Sequence, residues 1–257
     1  MNSEQTYVAL KTIVVREVRR FTRIWVQTLI PPVITMSLYF VIFGNLIGSR
    51  IGEMGGYDYM QFIVPGLVMM SVITNSYANV VSSFFSTKFQ HSIEELIVSP
   101  VPSHVIIIGF VLGGVTRGIM VGILVTLLSL FFTNLVITNL FVTFITLILT
   151  ATLFSLGGFI NAVYANKFDD ISIVPTFVLT PLTYLGGVFY SIDLLPEFWR
   201  TVSMANPIVY MVNAFRYGIL GVSDVSLTVA FSMSALFVVG LYTWAWYLIS
   251  RGVGIRS

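Results

Sequence analysis

Cysteine is absent from the 257 residues, which excludes disulfides, thiolate metal sites and thiol catalysis. Histidine is nearly absent. His91 and His104 stand thirteen positions apart, without the spacing of a metal-ligand pair. No Gly-Lys dipeptide occurs, so a phosphate loop ending in Gly-Lys-Ser/Thr is missing and the chain cannot hold ATP in that way. Charge is scarce too. Asp, Glu, Lys and Arg make up 9% of the residues against 56% hydrophobic, whereas a soluble domain carries roughly 25% charged residues. Such a chain cannot cover its own surface in water. The net charge of +2, with its basic residues clustered beside one apolar run, gives no reason to expect a nucleic-acid partner.

What is present is long apolar sequence. A membrane-crossing helix needs about 20 mostly apolar residues, and mostly apolar runs of that order occur at 24–43, 59–85, 105–132, 140–165, 171–190 and 225–249. The fold class expected is therefore all-α, a polytopic membrane protein with six transmembrane helices. Basic residues favour the cytoplasmic side of short loops. With six crossings, Lys11, Arg16, Arg19, Arg20, Arg23, Lys88, Lys167, Arg251 and Arg256 all fall on one side, and only Arg50, Arg200 and Arg216 on the other. Both termini are expected in the cytoplasm. Between Ile192 and Asp224, Arg200 and Arg216 leave too short an uncharged stretch to cross, so this reads as a partly buried outer segment broken at Pro196 and Pro207.

No acid lies inside an apolar run, which argues against a proton or sodium relay. Polar residues do occur there. Ser71, Asn75, Asn79, Ser82 and Ser86 recur at helical spacing in the second run, and two readings stay open: hydrogen bonding between helices, or lining of a transport path. Arg117 stands within the third run, amid Gly109, Gly113, Gly118 and Gly122, and needs a partner or water. The fifth run combines Pro175, Pro181, Gly186 and Gly187 with Thr176, Thr180 and Thr183, read as one face beside possible kinks.

At the N-terminus, Tyr7, Leu10, Val14, Val18 and Phe21 recur at steps of three and four, opposite Arg16, Arg19, Arg20 and Arg23. This predicts an amphipathic helix on the cytoplasmic surface, in contact with membrane lipids. The loop from Phe89 to His104 interleaves Ile93, Leu96 and Ile97 with Glu94 and Glu95 before Pro100 and Pro102. A helix resting on lipid would favour lysines over glutamates, so the pattern suits docking to a soluble partner.

Three stretches resemble the integral membrane permeases of type-2 ABC exporters: Ile93 to Pro102, Pro181 to Arg200 and Asn206 to Gly221. The likeness extends over almost the whole chain. It implies a single transmembrane domain over 1–257, with an interfacial helix at 1–23, helices one to five within 24–191, a coupling loop at 86–104, an outer re-entrant segment at 192–224 and helix six at 225–249. It implies the bacterial cytoplasmic (inner) membrane, a homodimer forming the path, and two copies of a separate nucleotide-binding ATPase. Catalysis and metals are not expected of this chain, and ATP with Mg²⁺ would be used by the partner. Ile93, Glu94, Glu95, Leu96 and Pro100 become ATPase-coupling residues. Tyr190, Pro196, Trp199, Asn206, Pro207 and Arg216 become an outer gate, and Ser71, Asn75, Asn79, Arg117, Thr176, Thr180 and Thr183 are candidates for the path. The alternative is an ion-gradient-driven secondary transporter, which the missing intramembrane acids disfavour. An intramembrane enzyme would need a base to activate Ser or Thr within a span, and none is there.

Overall fold

Asn2 starts the first helix. Its side chain accepts from Glu4 N at 3.1 Å while Gln5 Oε1 accepts from Asn2 N at 3.1 Å, a reciprocal cap that satisfies two end donors. The computed structural model describes residues 2–93 and 99–254, the side chain of Asn45 excepted. The helices are α1 (Ser3–Arg23), α2 (Trp25–Ile51), α3 (Tyr59–Phe89), α4 (Ser103–Ser129), α5 (Leu140–Tyr164), α6 (170–184), α7 (Glu197–Met204), α8 (Pro207–Leu220) and α9 (Leu227–Arg251). A two-stranded hairpin, β1 (Glu53–Met54) against β2 (Tyr57–Asp58), joins α2 to α3. Among the described residues the remaining regular elements are helical.

Five helices, α2, α3, α4, α5 and α9, are long and apolar enough to cross a membrane. Their bounds lie close to the runs read from the sequence, although α2 continues to Ile51, beyond the expected end at 43, through a widened π turn over Phe40–Ile47. The expected fifth crossing differs. Helix is continuous over 170–184, about 22 Å at 1.5 Å per residue, short of the roughly 30 Å hydrocarbon core. Pro175 and Pro181 lack the N–H that an α-ladder needs, and Pro175–Leu179 relaxes into a π turn. The helix gives way to a turn around Gly187, whose φ of +70° a side chain would disfavour.

The helix α3 is the axis of the bundle, with α4, α5, α1 and α8 packed around it. Phe84 of α3 meets Phe110 of α4 at 5.2 Å and Phe159 of α5 at 4.3 Å between ring centres. The glycines of α4 allow the approach. A Cβ on Gly109 would lie 2.5 Å from Ile13 Cγ2, and one on Gly113 would lie 2.6 Å from Glu17 Cβ, so α1 runs in step beside α4. Gly114, Gly118 and Gly122 meet Val80, Ser76 and Val72 of α3 in the same manner. By contrast α2 and α9 have few buried residues.

In the outer segment the two expected prolines begin helices rather than only breaking them. Pro196 precedes α7, and Pro207 is the first residue of α8, where its fixed φ and absent N–H cost nothing.

Candidate translocation and coupling sites

The polar stripe of α3 is tied up on one side by two arginines. Ser71, Asn75 and Asn79 are buried, and Ser82 and Ser86 half-buried. Ser71 Oγ donates to Leu67 O at 3.1 Å and Asn75 Nδ2 to Ser71 O at 3.0 Å. Asn75 Oδ1 is then free to accept from Arg117 Nη2 at 3.0 Å, and the same nitrogen reaches Thr28 O at 3.4 Å. One turn further, Arg20 Nη2 donates to Asn79 O at 2.8 Å and to Asn79 Oδ1 at 2.9 Å. Successive asparagines thus hold α1, α2 and α4 against α3. Such bonds inside a membrane protein are worth about 1 kcal/mol each.

Beneath Arg20 lies a residue that the sequence pattern concealed. Glu17 is 1% exposed, accepts from Ser83 Oγ, and pairs with Arg16 Nη2 and Arg20 Nε at 3.4 Å each. Burial pulls the Arg20 guanidinium below its ordinary value, against the opposing pull of the Glu17 carboxylate. Of the expected stripe, Phe21 is buried and Leu10, Val14 and Val18 half-buried. Tyr7 is 64% exposed, and the buried residues of α1 are Ile13, Glu17 and Phe21. Arg20 turns inward rather than to the polar side. The signal available was an acid at i+4 from Ile13 and i−4 from Phe21, one apolar face interrupted by a single charge.

Three sides of α3 are filled: Val72, Ser76 and Val80 by α4, Asn79 and Ser83 by α1, and Tyr77 by Gly158 of α5. The remaining side, Met70, Thr74, Ala78 and Ser82, is less covered, and Thr74 is exposed. Of the expected path residues in α6, Thr176 and Thr180 are exposed, whereas Thr183 is buried with its hydroxyl on Leu179 O at 2.7 Å. The π turn shifts the helical phase between them, so the three threonines do not share one face. Thr180 Oγ1 instead satisfies Pro175 O at 2.9 Å. Across from α6, α2 leaves Ile34, Leu38, Val41 and Leu46 exposed. The two helices meet at one end through Tyr39, Phe43, Phe189 and Tyr184, with Phe43 and Phe189 4.8 Å apart and Tyr184 stacked on Phe189 at 5.8 Å.

The residues expected at the outer gate divide into two groups. Asn206 Nδ2 donates to Leu182 O at 2.6 Å, and its Oδ1 caps α8 at Ile208 N at 3.0 Å. Arg216 is fully buried, donating from Nη2 to Gly187 O at 2.6 Å with its guanidinium 4.0 Å above the Phe62 ring. That contact ties α8, the Gly187 turn and α3 together. The turn lies so close to α3 that a Cβ on Gly66 would collide with the Val188 backbone. Tyr190 donates to Tyr184 O at 3.0 Å. Pro196 and Trp199, by contrast, stand at the surface of the α7 region.

Residues 8–220 match the family described as ABC-2 type transporter. The chain belongs to the ABC-2 type transporter family. It is 64% identical over 251 residues, 98% of each chain, to the inner membrane transport permease YadH of Escherichia coli K12, and equally to that of Shigella flexneri. It is also 22% identical over 185 residues to nodulation protein J of Rhizobium leguminosarum bv. trifolii, covering 72% of this chain and 71% of that one. The polytopic helical bundle and the ABC-2 membership together make it a transport permease.

Within this ABC-2 permease, the start of the loop after α3 is anchored. Lys88 Nζ donates to Val163 O and Ala165 O at 2.7 Å each, placing a cation on the carbonyls that end α5. His91 then turns the chain with a φ of +58°. Of the residues expected to couple to an ATPase, Ile93 is 1% exposed and belongs to the core, while Pro100 is exposed. Glu94, Glu95 and Leu96 lie outside the described residues.

Proposed function

We propose that this ABC-2 permease is the transmembrane subunit of an ATP-driven exporter in the inner membrane, working as a homodimer with two copies of a separate nucleotide-binding ATPase. The observation that carries this reading is the uncovered side of the axial helix. The bundle is closed by α4, α1 and α5, but Met70, Thr74, Ala78 and Ser82 of α3 are left for something else to meet, with Thr176 and Thr180 of α6 also uncovered. A polar groove facing lipid would be costly. A second copy facing this side would turn it into a passage.

In this proposal both termini are cytoplasmic, α6 with residues 185–190 completes a sixth crossing, and 192–224 forms the outer re-entrant gate. The chain itself binds no cofactor; ATP and Mg²⁺ belong to the ATPase. Ile93 serves coupling as the peg that fixes the loop to the bundle, and Glu94 and Glu95 are the groups that meet the ATPase. Lys88 joins the loop to α5 as well as α3, so a push on the loop moves two long helices together. Driving a two-state gate from 1:99 to 99:1 requires about 5.5 kcal/mol of differential interaction, and the Lys88 tie would carry it from the start of the loop into both helices. The relative named inner membrane transport permease supports transport across that membrane.

The test is charge reversal, Glu94→Lys with Glu95→Lys. ATP-dependent transport should fall at least tenfold while the protein stays in the membrane at wild-type abundance. Transport unchanged in that variant removes the loop from the coupling route.

A further inference from the structure

Arg20 and Arg117 bring more positive charge to one niche than the protein neutralises. Arg117 sits in a helix read as crossing the membrane, and among the described residues its partners are two neutral oxygens, Asn75 Oδ1 and Thr28 O. Glu17 is the acid that the adjoining α1 supplies, and it is already shared by Arg16, Arg20 and Ser83. Charges inside a membrane are costly unless a counter-charge or water meets them.

Each guanidinium spends one face on α3 and keeps another free. Nη2 of both is engaged by the asparagines, and Nε of both is buried without a hydrogen bond. Nη1 of both makes no hydrogen bond among the described residues and is not among the buried unpaired atoms, which leaves it accessible. Asn75 and Asn79 stand on consecutive turns, so the two guanidiniums are held about 6 Å apart along the α3 axis, at 1.5 Å per residue. Two guanidiniums at that spacing can donate to the oxygens of one phosphate between them. The rim is amphipathic: Ile24, Trp25 and Val26 are exposed beside it, at the junction of an amphipathic helix with a crossing helix. The niche also adjoins the uncovered side of α3, since Asn75 and Asn79 directly follow Thr74 and Ala78.

We infer that Arg20 and Arg117, oriented by Asn79 and Asn75, form a binding site for an anionic phosphate group whose charge no cation of its own headgroup offsets, with Ile24, Trp25 and Val26 receiving the apolar part of an amphiphile that carries it. The site does not depend on the ATPase coupling proposed above, so its failure would leave that reading standing.

The experiment uses the full chain purified in a neutral detergent and exchanged against phosphatidylglycerol or phosphatidylcholine, with bound lipid counted by native mass spectrometry. Wild type should retain phosphatidylglycerol at least tenfold better than phosphatidylcholine. Arg20→Gln combined with Arg117→Gln should abolish the preference, Arg117→Lys should keep part of it, and Arg23→Gln on the exposed face should keep it whole. Soluble glycerol phosphate distinguishes the source. No displacement at millimolar concentration assigns the site to a lipid headgroup, and displacement assigns it to a free phosphate; both uphold the phosphate site. Should the double glutamine variant lose its melting transition, Arg117→Lys against wild type carries the comparison. Equal retention of the two lipids by wild type, or a preference that survives both Arg117→Lys and the double variant undiminished, overturns the inference.

Discussion

Glu17 has one buried carboxylate facing two arginines and a serine, and its two oxygens do different work. Removing both by Glu17→Ala leaves the Ser83 hydroxyl and part of the Arg20 guanidinium unsatisfied, at a cost of about 1–3 kcal/mol, discounted from the fully buried case because Arg20 keeps a third of its side chain exposed. Glu17→Gln retains an acceptor for Ser83 and should lose less. The order expected in detergent melting is wild type above Glu17→Gln above Glu17→Ala, with exposed Arg19→Ala beside wild type. A Glu17→Ala protein that melts with wild type would show that the brace contributes nothing. Neither Glu17 nor Thr74 was legible in the sequence as part of a site. A face drawn through apolar residues alone passes Glu17 by, and the polar stripe Ser71, Asn75 and Asn79 is more conspicuous than its neighbour Thr74. Which of two adjacent stripes stays open depends on the helices that cover α3, and that information is not local.

At the scale of elements, α1 and α4 owe their contact to two missing side chains. Leucine at Gly109 must displace Ile13, and leucine at Gly113 must displace Glu17; overpacking of this kind costs typically 1–3 kcal/mol. Gly240 in α9 faces open space, with nothing within 4 Å of where a Cβ would stand. Gly113→Leu should therefore lower the melting temperature clearly while Gly240→Leu leaves it nearly unchanged. Equal shifts in the two variants would contradict the packing of α1 on α4. The crossing helices themselves were readable because length and hydrophobicity are imposed by the bilayer along each segment. Where the structure departs from that pattern, proline is the reason. Pro175 opens the π turn that sets Thr183 apart from Thr176 and Thr180 within α6, whereas Pro196 and Pro207 open α7 and α8. Proline marks a boundary in sequence, but whether it ends one helix or begins the next is decided by which side can satisfy its neighbours' hydrogen bonds.

On the scale of the whole molecule, the bundle is asymmetric. One end holds the Arg216–Gly187–Phe62 lock and the aromatic contact of α2 with α6; the other holds the brace and the anchored loop. A stroke delivered at the loop would have to travel along α3, the helix that contacts both ends, to release the lock. The central claim is that this permease acts in duplicate with a separate ATPase, and the most direct test is the mass of the complex purified through this chain alone from its native membrane. Two permease chains with two nucleotide-binding ATPase chains is the result expected, with ATPase activity that falls in the Glu94→Lys, Glu95→Lys variant; a single permease chain with no ATPase attached would contradict it.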